Sequence, residues 1–139
     1  MPRIMSVGLA LLASTTIAGC SALDSIGSDG DRISGTYELR TVNGRGLPTV
    51  LYEDRGYRLE ILNANFTIDR DGTYSEAGIV REIVNGSATT SSSSTYGYYD
   101  YYNGEVTFEE SSGRRYYGTM QSNRLTIIDD GVTLVYQRY

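Results

Sequence analysis

Two-residue turn signals recur along most of the chain: Asn43-Gly44, Asp71-Gly72, Asn85-Gly86, Asn103-Gly104, Ser122-Asn123 and Asp130-Gly131. Asn, Asp and Gly tolerate the positive φ of a tight hairpin turn, so each pair can reverse an antiparallel strand within two residues. Between the pairs run short segments rich in Val, Ile, Tyr, Thr and Leu, with no helical pattern longer than a few residues. Such spacing predicts an all-β meander.

Residues paired across a two-residue turn share one face of the sheet, so each proposed turn fixes a register. A type I′ turn at Asn103-Gly104 sets Tyr101 opposite Val106 and Tyr99 opposite Phe108. Tyr102, Asp100 and Tyr98 then meet Glu105, Thr107 and Glu109 on the other face. A turn at Asp130-Gly131 pairs Ile127 with Leu134 and Leu125 with Tyr136. It leaves Thr126 with Val135 and Ile128 with Thr133 on the opposite face. Ser122-Asn123 puts Met120, Gly118 and Tyr116 beside Leu125 and Ile127, so consecutive strands share one core. The run Tyr96 to Tyr102, five tyrosines in seven positions, therefore reads as a strand with Tyr99 and Tyr101 inside and Tyr98 and Tyr102 outside. The Ser, Thr and Ala run before it reads as a loop or a frayed hairpin end.

The N-terminus carries one charge, Arg3, then an apolar stretch from Val7 to Ala13 and small residues up to the only cysteine, Cys20. This has the form of a secretory signal peptide, too short and wrongly flanked for a spanning helix. Its ending, Ile17-Ala18-Gly19-Cys20, resembles the lipobox of bacterial lipoproteins. The resemblance implies a diacylglyceryl thioether and an acylated amine on Cys20, several acyl chains in all, palmitate among them, and two or more chains anchor stably. Ser21 in place of an aspartate implies, by the same resemblance, the outer membrane rather than the inner. Three regions follow: a signal peptide at 1–19, a lipidated cysteine and flexible tether at 20–33, and a folded domain at 34–139. The tether reading rests on "SALDSIGSDGDR", which is small, polar and without periodicity.

The net charge is −5, there is no lysine, and loss of Arg3 with the leader makes the mature chain more acidic still. Such a surface offers no electrostatic footprint for nucleic acid. With Cys20 taken by lipid no intrachain disulfide is available, so stability must come from an apolar core.

At "SGTYELRTVNGRGLP" (34–48) and "GTMQSNRLTIIDDGVTLVYQR" (118–138) the chain resembles the bacterial lipocalin-like lipoproteins, which are small up-and-down antiparallel barrels. Gly35-Thr36-Tyr37 stands where lipocalins carry Gly-x-Trp on the first strand. Arg138 stands where their last strand carries an arginine over that ring, so the resemblance implies a barrel-closing pair of Tyr37 and Arg138. Closure of about eight strands also follows from the need to hide sheet edges. It leaves room inside for side chains or one small ligand. The inward set, with Tyr37, Leu39, Leu59, Ile61, Phe66, Ile68, Tyr99, Tyr101, Phe108, Tyr116 and Tyr136, is bulky enough to keep any cavity small.

Zero histidines and a lipidated cysteine exclude histidine-dependent triads and histidine or cysteine zinc sites. The remaining carboxylate candidates are Glu53-Asp54, Asp69 with Asp71, Glu109-Glu110 and Asp129-Asp130, mostly at turns, where acids serve as turn formers. Asp69-Arg70-Asp71-Gly72 lacks the later acids of a calcium loop. No catalytic residue, metal or cofactor is expected, and the chain reads as non-enzymatic. Arg114-Arg115 suits either an anionic ligand or a solvated strand start. Outward Tyr98, Tyr102 and Tyr117 suit either an interface patch or strand packing. Two readings stand. In one, the barrel binds a small apolar molecule in a pocket lined by Tyr37, Tyr99, Tyr101 and Tyr116. In the other, a filled barrel serves as a structural or interaction lipoprotein facing another envelope protein.

Replacing Cys20 with Ser is expected to move the protein from the membrane fraction to the soluble or mislocalised one, measured by fractionation and immunoblot. Unchanged attachment would defeat the lipobox reading.

Overall fold

A computed structural model describes residues 30–139, so the signal peptide, Cys20 and most of the expected tether lie outside the described residues. Ten strands follow in order: β1 (Gly35–Val42), β2 (Arg45–Gly46), β3 (Thr49–Asp54), β4 (Tyr57–Ile68), β5 (Thr73–Val84), β6 (Ser87–Tyr102), β7 (Glu105–Glu110), β8 (Arg115–Gln121), β9 (Arg124–Asp129) and β10 (Val132–Arg138). All pairings are antiparallel between chain neighbours from β3 to β10, and β1 pairs with both β10 and β4. That double pairing closes an eight-stranded barrel of β1 and β4 to β10. β2 and β3 lie outside the closed ring.

The turns form as their chemistry dictates. Asn103 and Gly104 sit at φ of 50° and 87°, and Asp130 and Gly131 at 47° and 78°, the positive pair a type I′ turn needs. The registers agree with the pattern: Tyr99 opposes Phe108, Tyr101 opposes Val106, Ile127 opposes Leu134 and Leu125 opposes Tyr136. Met120 opposes Leu125, and Tyr116 and Gly118 face inward beside it. Inside, Phe66 stacks on Tyr74 at 5.1 Å and meets Phe108 edge-on at 4.8 Å, while Phe108 stacks on Tyr116 at 5.1 Å. Tyr136 closes against Phe66 at 5.6 Å. These rings fill the barrel axis, each pair contributing about 1 kcal/mol beyond its buried area.

Two expectations change. The Ser and Thr run is not a loop: Ser87 to Tyr98 pairs residue for residue with Val84 to Thr73 of β5. The Asn85-Gly86 turn starts β6 in register, and backbone pairing then proceeds whatever the side chains. The folded unit also begins before Ser34. Residues 30–33 make one helical turn, and Ile33 at its end is 2 % exposed in the core.

β4, β5 and β6 are too long for the barrel wall. Their far halves, with β3, leave it as a four-stranded flap. A bulge between Ile61 and Asn63 on β4 marks the start of the flap. At Gly97 the chain passes so close to β7 that a Cβ there would stand 2.0 Å from the Glu109 carbonyl oxygen. Gly97→Ala is therefore expected to destabilise the fold by about 3 kcal/mol, lowering the unfolding midpoint by roughly 10 °C or more. Gly46→Ala, whose Cβ meets nothing within 4 Å, should leave it unchanged in the same thermal melts.

Candidate functional site

One end of the barrel is sealed. The Arg138 guanidinium lies 5.6 Å from the centre of the Tyr37 ring, donates to the Ser34 carbonyl at 2.7 Å and donates to Asn123 Oδ1 at 2.9 Å. Its stem covers Gly35, where a Cβ would meet Arg138 Cδ at 2.7 Å and where φ is +141°, so this position suits only glycine. The Tyr37 hydroxyl donates to the Ile33 carbonyl at 2.6 Å, and the Tyr99 hydroxyl to the Asp69 carbonyl at 2.7 Å. Tyr101 lies beside Tyr37. Three of the four tyrosines expected to line a pocket thus gather at the sealed end, two of them with hydroxyls committed to backbone. Tyr116 instead packs in the core on Phe108, with Tyr74 at 6.2 Å. Inward parity holds for all four, but strand tilt sets them at different depths along the barrel.

The opposite end opens where the flap departs. Inward positions along β5 are Tyr74, Glu76, Gly78 and Val80; the sequence reading passed over Glu76, because β4 and β5 are joined by a three-residue loop that sets Ile68 opposite Tyr74, where a two-residue turn at Asp71-Gly72 would have turned both Tyr74 and Glu76 outward. Its carboxylate accepts a hydrogen bond from the Tyr136 hydroxyl at 2.5 Å. Burial raises the carboxyl above its ordinary 4.5, the Tyr136 bond and Arg114 work in the opposite direction, and Glu110 and Asp129 add to the rise. Burial likewise raises the Tyr136 phenol, with Glu76 adding to it. Beside Glu76 lies a pocket of about 130 Å³, walled by Ile61, Ala64 and Val80 and by Ser93 and Thr95. Thr95 Oγ1 is buried and has no hydrogen-bond partner among the described residues, as is true of the Tyr74 and Tyr116 hydroxyls.

The acids named from the sequence are otherwise engaged. Asp71 accepts bonds from the Thr73 amide at 3.0 Å and the Thr73 hydroxyl at 2.6 Å, which hold its pKa down and make a turn. Asp54 accepts from the Arg55 amide at 2.7 Å. Arg114 bonds Glu110 at 3.1 Å, Asp129 more closely, and approaches Asp130 at 3.6 Å, while Arg115 pairs with Glu109 at 2.6 Å. Both guanidiniums are therefore paired from within the chain. A second acid absent from the sequence reading, Glu60, sits 5 % exposed on the flap between Arg58 and Arg81. Nowhere among the described residues do three acids converge to hold a metal.

Tyr98, Tyr102 and Tyr117 point outward and are 69 %, 81 % and 63 % exposed. Tyr117 stands opposite Ile128, itself 63 % exposed, over a shallow external groove floored by Gly118.

No protein-family model and no curated protein matches the chain. Among solved structures it is similar to a crystal structure of the Cpx pathway activator NlpE from Escherichia coli, at 20% identity and a TM-score of 0.40. The match covers 59% of this chain and 40% of that one.

A carboxyl whose pKa rises on folding binds its proton more tightly in the folded state, so its contribution is most favourable at low pH and declines as pH climbs through the raised value. Glu76→Gln removes that titration. The unfolding midpoint of the wild type, relative to Glu76→Gln, is expected to fall as pH rises above the ordinary carboxyl value of 4.5. Tyrosine circular dichroism during thermal unfolding measures it, and parallel pH profiles for the two proteins would sink the assignment.

Proposed function

We propose that this protein is a non-enzymatic lipoprotein of the cell envelope, anchored through lipid on Cys20, whose filled barrel is a rigid body for contact with another envelope component. One observation carries the choice between carrier and scaffold. The stacked rings of Phe66, Tyr74, Phe108, Tyr116 and Tyr136 occupy the barrel axis. What remains at the mouth is about 130 Å³, below the ~300 Å³ at which pockets for drug-sized ligands begin. That small volume favours the scaffold over the alternative of a small apolar ligand among Tyr37, Tyr99, Tyr101 and Tyr116. The anchor supports the same reading: a protein held at a membrane needs surface, not interior volume, to meet a neighbour. The outward tyrosines and paired acids at the turns supply that surface, and the lipobox resemblance points to the outer membrane.

The test is native mass spectrometry of the mature protein extracted from its own host. The expected spectrum shows the polypeptide plus its acyl chains and nothing else bound. A stoichiometric co-purifying molecule of more than about ten non-hydrogen atoms, lost on Ala64→Phe, would return the barrel to the carrier class.

A further inference from the structure

We infer that the outer edge of β6, residues 88–94, pairs antiparallel with the same edge of a second copy of this chain. The direction of each backbone hydrogen bond leads there. Val84 and Ser87 flank a two-residue turn as a bonded pair, so the odd-numbered residues of β6 turn their N–H and C=O groups to β5. Even-numbered residues face away. At the barrel end those groups are used, since the Tyr96 carbonyl accepts from the Ser111 amide at 3.0 Å and Tyr98 opposes Glu109 on β7. Beyond that point Ala88, Thr90, Ser92 and Ser94 direct their backbone groups to no strand among the described residues.

The flap's other edge shows what protection looks like. β3 is preceded by Pro48, interrupted by a bulge between Val50 and Tyr52, and ends on Glu53 and Asp54. Proline, bulges and charges are the devices that stop an edge from recruiting another strand. From Ser87 to Tyr96, β6 carries none of them. Its side chains from Ser87 to Ser94 are exposed on both faces.

The edge fits its own copy. Antiparallel pairing about a two-fold axis through Ser91 sets Thr90 against Ser92 and Ala88 against Ser94, each pair exchanging both backbone bonds. Ser and Thr hydroxyls then meet across the strands, a favourable pairing. Charge agrees. The chain carries −5 overall, so two copies repel over most of their surfaces, whereas this strip is neutral. Nothing on it selects a charged partner of another kind. The contact is smaller than a standard interface, and co-anchoring in one membrane raises the effective concentration that a small contact requires. The setting rests on the anchored interaction reading; the pairing itself does not.

Ser91→Cys in the full chain, oxidised mildly in host membranes, tests it, with the bridge located by peptide mass spectrometry so that Cys20 is not mistaken for it. Ser91 would face its own copy in a non-bonded pair, within the span a disulfide bridges. The expected product is a homodimer bridged between the two introduced thiols, reduced at least tenfold by adding Thr90→Pro. That change removes an outward N–H and leaves the β5 bonds in place; unchanged circular dichroism verifies the fold. A bridge from the introduced thiol to a different polypeptide, equal bridging by Thr119→Cys on the barrel wall, or no dimer would overturn the inference. A co-purifying ligand in the extracted protein would overturn the scaffold reading instead, whatever the Ser91→Cys variant does.

Discussion

β1 must satisfy two neighbours at once, and everything else in the structure depends on it doing so. Gly35 to Glu38 pair with Ile68 to Asn65 of β4, while Tyr37 to Val42 pair with Arg138 to Leu134 of β10. Without that double pairing the meander would be an open sheet with unpaired backbone groups along its first and last strands. Arg138 holds the seam at the barrel's sealed end, on the same face as its cross-strand partner Tyr37. Its stem lies on Gly35, its guanidinium over Tyr37, and its donors on Ser34 and Asn123. The tyrosine under the arginine donates its hydroxyl to the Ile33 carbonyl and so ties the short N-terminal turn to the core.

Closure then decides what the interior can be. A ring of eight strands encloses a narrow axis, and a chain that places tyrosines and phenylalanines at inward positions fills it. Using tyrosine for this brings hydroxyls inside, and three of them find partners. Tyr37 and Tyr99 reach backbone carbonyls at the sealed end, and Tyr136 reaches Glu76 near the mouth. The Glu76 carboxyl is the polar centre of the open end, where the wall gives way to the flap.

The flap follows from length. Once β4, β5 and β6 outrun the barrel they have no ring left to join, and past the bulge at Leu62 they run on with β3 as an extension of the same sheet. Inside the ring no strand has a free side. In the flap two strands do, and they are treated differently: β3 is short, bulged and acidic, while β6 from Ser87 to Tyr96 is unbulged and uncharged. Glu60, locked between Arg58 and Arg81, ties neighbouring strands of that sheet together on one face.

Turn positions, hairpin registers and the inward or outward sense of each side chain were legible in the sequence, because they depend only on a two-residue turn and a period of two. Asn103-Gly104 and Asp130-Gly131 carry that information within a few residues of themselves. The same parity fails at Asp71-Gly72, where a three-residue loop shifts the register by one and brings Tyr74 and Glu76 inside. Depth along the barrel was not legible. Tyr37, Tyr99, Tyr101 and Tyr116 all point inward, yet their separation between the sealed end and the core comes from strand tilt, which exists only once the ring has closed. Nor could composition place the serine run. Ser and Thr between 87 and 95 look like a loop by propensity, and became strand because β5 offered a continuous row of backbone partners. Local chemistry determined which residues turn and which face in; the closed sheet, through long-range backbone pairing, decided how deep each one sits and which edge was left open.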